Sequence, residues 1–204
     1  LRRALVEKGI LREEALAWEK DVDVSSDAVV AAAVGTIGKD LRGSDVVWRP
    51  ENRARALPLL REAYGKAATP KAQQIYAEML GMLGDASGAE VLADIVSGRR
   101  EVIATRHGRN YGEGNEGGDA PLGFMVALGR TKSPLALKPL LRALSEISVT
   151  STVRPFRAVT LALEALGDPA AAPKLAAKLR EPGMGGHHVA DWRDLPPQGG
   201  YGGD

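Results

Sequence analysis

The chain holds no cysteine, three histidines and very few aromatics: 3 Trp, 4 Tyr and 2 Phe among 204 residues. Without cysteine there is no disulfide framework and no thiolate zinc site. The apolar fraction of 44% is carried mainly by alanine and leucine, a composition that suits closely packed helices better than strands. No apolar run reaches the roughly 20 residues that a membrane-spanning helix requires, and no signal peptide is visible. No membrane partner is therefore expected, and a cytoplasmic location is the default. A formal net charge of +1 speaks against a globally electrostatic binder. Catalytic signatures are missing too. HExxH, CxxC and a nucleophile motif are absent, and Gly112-x-Gly114-x-x-Gly117 matches a dinucleotide-binding pattern by count alone, since no predicted strand precedes it. No metal, cofactor or catalytic residue is assigned, and the chain reads as non-catalytic.

What is present is an echo. Leu83-Gly84-Asp85-Ala86, Leu128-Gly129-Arg130-Thr131 and Leu166-Gly167-Asp168-Pro169 each close an apolar helical segment, and a second such segment follows each. Stepping from Pro58 to Val91, Pro139 and Lys174 gives intervals of 33, 48 and 35 residues, so the base period is about 34 and one step is swollen by roughly 14. Within a unit the spacing is helical. Phe156, Val159, Leu163 and Leu166 form one stripe, and Leu137, Leu140, Leu141 and Leu144 another. Gly84, Gly129 and Gly167 are expected to end helices in the left-handed cap conformation. Asp85, Asp168 and Pro169 are expected to shape the turns, and Pro58, Pro139 and Pro173 to lie near the starts of second helices. In the first unit Ser25, Ser26 or Asp27 would cap a helix from Ala28 to about Asp40, with its second helix over 52–66.

The segments Ala162–Leu179 (ALEALGDPAAAPKLAAKL) and Tyr76–Val96 (YAEMLGMLGDASGAEVLADIV) resemble HEAT-like repeats of the short bacterial type, also found in phycobilisome lyases. The resemblance covers about residues 26–181. It implies an all-α fold, an α-solenoid of about four helix pairs. Residues 1–25 would form N-terminal capping helices and 26–181 the repeat array. Residues 182–204 would be a Gly/Pro-rich tail leading onward, the chain being a piece of a longer bacterial protein. The repeat consensus is made of packing and capping residues, so it predicts a surface rather than an activity. The middle unit departs from it, with Arg130–Lys132 lengthening the turn.

The swollen step is a Gly-rich insertion over 105–120, TRHGRNYGEGNEGGDA. It and the tail from Glu181 together hold 12 of the 24 glycines and all three histidines. Both follow a second helix, so both are expected at one edge of the stack, about 20 Å apart for layers spaced about 8–10 Å. Glycine lets a backbone approach a partner closely, and long loops inside compact domains are more often functional or disordered than incidental. The candidate interaction residues are His107, Arg109, Asn110 and Tyr111 in the insertion and His187, His188, Trp192 and Tyr201 in the tail. Trp18 and Trp48 are read as structural, Trp48 covering the first turn. Residues 130–180 carry nine Lys/Arg against Glu146, Glu164 and Asp168, a basic strip that leaves nucleic acid as a lesser alternative. The expected function is an interaction or scaffold module, its partner a protein or another domain of the same chain; an accessory domain packed on a catalytic domain is the closest rival.

Overall fold

The computed structural model describes residues 8, 25–40, 43–103, 122–151 and 153–184. Among these residues the chain is all-helical, with nine α-helices packed together. They are α1 Asp27–Asp40, α2 Ser44–Val47, α3 Arg53–Gly65, α4 Pro70–Met82, α5 Ala89–Val96, α6 Leu122–Arg130, α7 Leu137–Glu146, α8 Val153–Leu166 and α9 Ala171–Leu179. The helix starts follow from local chemistry. Ser26 caps α1, its Oγ accepting from the Val29 amide at 3.4 Å. Thr69 caps α4, accepting from the Ala72 amide at 3.2 Å, with Pro70 in the first position, where a missing N–H costs nothing. The expected capping helices of residues 1–25 lie almost wholly outside the described residues.

In chain order the longer helices can be taken two by two, α1/α3, α4/α5, α6/α7 and α8/α9. The first members touch in order, α1 on α4, α4 on α6 and α6 on α8, and among the second members α5 touches α7 and α7 touches α9. One apolar cluster runs the length of the described chain, from Val29 and Ile37 through Leu60, Leu80 and Leu128 to Leu163 and Met184. Each fully buried Leu, Ile or Met in it contributes about 1.5–3 kcal/mol of transfer free energy. The first members approach at small residues. A Cβ built on Gly81 would meet the Ala127 carbonyl oxygen at 2.8 Å, and one built on Gly129 would meet that of Ala162 at 2.1 Å.

The turns inside the pairs share their chemistry and correct the alignment of the middle unit. Gly84 and Gly167 adopt left-handed conformations with φ of +82° and +71°, as expected of C-terminal caps. Gly129 does not cap: it lies inside α6, which runs on to Arg130, and the left-handed residue of that turn is Lys132, at φ 52°. The residue after each left-handed position then accepts an amide hydrogen bond from two residues on. Asp85 Oδ1 takes Ser87 N–H at 2.9 Å, Ser133 Oγ takes Leu135 N–H at 3.3 Å, and Asp168 Oδ1 takes Ala170 N–H at 2.9 Å. Counted from these positions, Leu128-Gly129 matches Leu80-Gly81 rather than Leu83-Gly84, a shift of nearly one helical turn. Gly81 and Gly129 then stand three residues before the left-handed position, and Ala127 and Ala162 five before it. A second correction concerns Pro58, which lies in the interior of α3 rather than near its start, removing one intrahelical hydrogen bond. Pro139 and Pro173 do fall in the first turns of α7 and α9.

Candidate functional site

All eight candidate interaction residues, His107, Arg109, Asn110, Tyr111, His187, His188, Trp192 and Tyr201, lie outside the described residues. The structure does describe the stem from which the insertion departs. Gln74, on the first half of α4, is fully buried; its Nε2 donates to the Glu101 carbonyl at 2.6 Å and its Oε1 accepts from the Ile103 amide at 2.8 Å. The neighbouring Gln73 Oε1 accepts from Arg100 Nη1 at 2.7 Å. One turn further along α4, Glu78 is 5% exposed, and its Oε1 lies 2.5 Å from where a Cβ on Gly123 would be. Gly123 sits near the N-terminal end of α6, where the helix dipole favours an anion. Positions 74 and 78 share a helix face, so one face of α4 lies against the chain on both sides of 104–121.

The tail begins at a connection of the same kind. Gly183, at φ +87°, lies against Val149 in the loop from α7 to α8, and Met184 beyond it is fully buried. Sequence reasoning missed Gln74 and Glu78. Both read as ordinary polar positions on an amphipathic helix, and only the length of the insertion hinted that something must fasten it.

Many of the basic residues are used in joining helices. Arg142 Nη1 donates to the Ser97 carbonyl at the end of α5 at 3.3 Å, and its Nε pairs with Glu146 at 2.9 Å. Lys178, nearly buried, donates to the Ser145 carbonyl near the end of α7 at 3.4 Å and pairs with Glu181 at 2.9 Å. Arg130 Nη1 reaches the Met82 carbonyl at the end of α4 at 3.1 Å, and Arg53 Nη2 hydrogen-bonds the Leu83 carbonyl beside it. A cation at a helix C-terminus complements the dipole and satisfies orphan carbonyls. The basic segment 130–180 is thus no uninterrupted strip of phosphate ligands: Arg130, Arg142 and Lys178 belong to the contacts between units.

Asp85 takes part in the same economy of turns. Burial pushes its carboxyl up, but hydrogen bonds from Arg61 and Ser87 outweigh burial and hold it below the usual carboxylate range. Burial pushes the Tyr76 hydroxyl up, and that hydroxyl donates to the Val34 carbonyl of α1 at 3.1 Å. Among the described residues no group of three His, Cys, Asp or Glu is placed to hold a metal. No described helix is long and apolar enough to cross a membrane.

The described surface offers grooves between successive second helices. A recess of about 580 Å³ lies between α5 and α7. Its walls include Asp94, paired with Arg99 at 2.6 Å, together with Lys138, Arg142 and Leu135. Leu135 is 52% exposed. The mixture of an exposed leucine, arginines and flanking carboxylates suits recognition of a polypeptide better than chemistry on a small substrate. Comparison of the chain with protein-family models, curated proteins and solved structures finds no match.

Proposed function

We propose that this chain is a HEAT-like α-solenoid that acts as a non-catalytic interaction module, presenting a rigid helical surface to a protein or to another domain of the same polypeptide. The observation that carries the reading is the recurrence of one packing device at one offset, Gly81 on Ala127 and Gly129 on Ala162. Repeated backbone-to-backbone stacking of first helices is what a solenoid requires. It also makes the second helices, and the groove between α5 and α7, a fixed surface rather than an adaptable one. A pre-ordered surface loses little conformational entropy on association. Gln74 fastens the chain at Glu101 and Ile103, just ahead of the Gly-rich insertion.

The test is photo-cross-linking from position 135, with position 66, just past the end of α3, as a control site outside the groove lining. The expected result is one polypeptide captured from 135 and not from 66, which then binds the purified chain saturably and loses binding with Leu135→Asp. Failure of any captured polypeptide to bind saturably, or equal capture from both positions, would refute the reading.

A further inference from the structure

The turns on the opposite side of the units carry a recess that neither the helix stacking nor the α5–α7 groove accounts for. Trp48, Pro50, Arg53, Met82, Leu83 and Arg130 line about 500 Å³, within the range of about 300–1,000 Å³ usual for small-molecule sites. Three successive units contribute. Trp48 and Pro50 come from the turn between α1 and α3, Met82 and Leu83 from the end of α4, and Arg130 from the end of α6. Trp48 is 38% exposed, so it covers the first turn only in part and leaves ring surface open to the recess.

The electrostatics are unusual. The adjacent carbonyls of Met82 and Leu83 draw Arg130 and Arg53, one each, to the same helix end. Two guanidinium groups therefore share one recess, and among the described residues none that lines it is acidic. The nearby carboxylates have partners of their own, Asp85 with Arg61 and Glu51 with Arg49. The ends of α4 and α6 supply about half a negative charge each, which offsets only part of two full cations. A guanidinium carries five N–H donors, and the hydrogen bond to a helix carbonyl takes one of them.

We infer that this recess binds an oxyanion, carboxylate or phosphate, carried on a flat aromatic or apolar group. Arg53 and Arg130 take the oxygens through charge-assisted hydrogen bonds, and Trp48 with Pro50 takes the ring. The site goes beyond protein binding and is independent of it, since it lies at the helix turns and not between α5 and α7.

The experiment is a titration of the chain with phenyl phosphate and with benzoate, read from the Trp48 indole N–H resonance, which Trp48→Phe identifies. Inorganic phosphate and benzyl alcohol serve as the two halves of the ligand. A saturable shift is expected with at least one of the aromatic anions, and which one distinguishes a phosphate from a carboxylate ligand. Inorganic phosphate should bind about tenfold more weakly, and benzyl alcohol should not saturate. Arg53→Gln and Arg130→Gln keep a donor for the helix carbonyl but remove the charge, and each should weaken binding about tenfold with helical circular dichroism unchanged. Should either variant fail to fold, the salt dependence of the unaltered chain reads the same charge, and affinity must fall steeply as ionic strength rises. No saturable shift with either aromatic anion, or affinity indifferent to salt, overturns the inference. Equal binding of inorganic phosphate overturns the role given to Trp48 and with it the ligand class.

Discussion

Gly129 of α6 lies so close to α8 that a Cβ on it would stand 2.1 Å from the Ala162 carbonyl oxygen. The obstacle is backbone, so a side-chain rotation gives no relief, and α6 and α8 would have to separate. Helix propensity alone would favour Gly129→Ala by about 1 kcal/mol. Overpacking costs typically about 1–3 kcal/mol, more where backbone must move, and here it wins. Gly129→Ala is expected to lower stability by about 2 kcal/mol or more in urea unfolding. Gly65, at the end of α3 with nothing within 4 Å, is the counterpart: Gly65→Ala is expected to be neutral or stabilising by up to about 1 kcal/mol. Equal effects at both positions would mean that α6 and α8 are not in backbone contact.

The same glycine shows how far the fold was legible. The two stripes, the 34-residue ruler and the caps at Gly84 and Gly167 are written in periodicity and in residues with special backbone freedom. Gly129 was readable as special but not as to why, because a glycine that ends a helix and one that admits a neighbouring backbone look alike in sequence. Lys132 gave no local signal at all, since lysine is an uncommon left-handed residue and its conformation is imposed by the turn. Pro58 misled for a related reason: packing of Ala56 and Leu60 into the core carries α3 through a proline that local propensity would place at its start. The site was legible only as an insertion. The residues that fasten its departure, and the arginines that meet at the end of α4, come together over sequence separations of 27 to 48 residues, which no local pattern reports.

Asp85 makes stability depend on acid. Its folded-state pKa is lowered by Arg61 and Ser87 against the opposing effect of burial. A lowered carboxylate stabilises the fold at all pH values above its unfolded value, near 3.8, and that stability is lost as pH falls through the folded value. Arg61 is solvent-exposed on much of its surface, so the pair is screened and the charge term is worth about 1 kcal/mol. Asp85→Asn keeps an acceptor for the Ser87 amide and should flatten the stability profile below about pH 4. Asp85→Ala also removes the turn hydrogen bond and should cost a further ~1 kcal/mol at neutral pH. A profile for Asp85→Asn that still falls as steeply as the parent's would assign the acid sensitivity elsewhere.

Gln74 should act on one segment more than on the whole. Gln74→Ala leaves the Glu101 carbonyl and the Ile103 amide without the donor and acceptor that hold them. Ile103 is an exposed residue, so water takes over part of the loss, and the global cost should be about 1–2 kcal/mol. Amide exchange at Ile103 should rise about tenfold or more, while amides in the middle of α8 change only with global stability. If Ile103 exchange tracks α8, the stem is not held by Gln74.

Lys132 provides the sharpest test of the corrected register. It occupies, at φ 52°, the position that glycine fills at Gly84 and Gly167. A left-handed conformation costs a non-glycine residue about 1–2 kcal/mol, offset partly by the smaller entropy it loses on folding compared with glycine. Lys132→Gly is therefore expected to be neutral or stabilising by up to about 1 kcal/mol, and Gly84→Ala and Gly167→Ala destabilising by about 1 kcal/mol each. Were Gly129 the cap instead, α6 would end three residues earlier. Lys132→Gly would then destabilise, and Gly129→Ala would resemble Gly84→Ala in size. Measuring the four variants side by side separates the two registers, because the sign at 132 and the magnitude at 129 must change together.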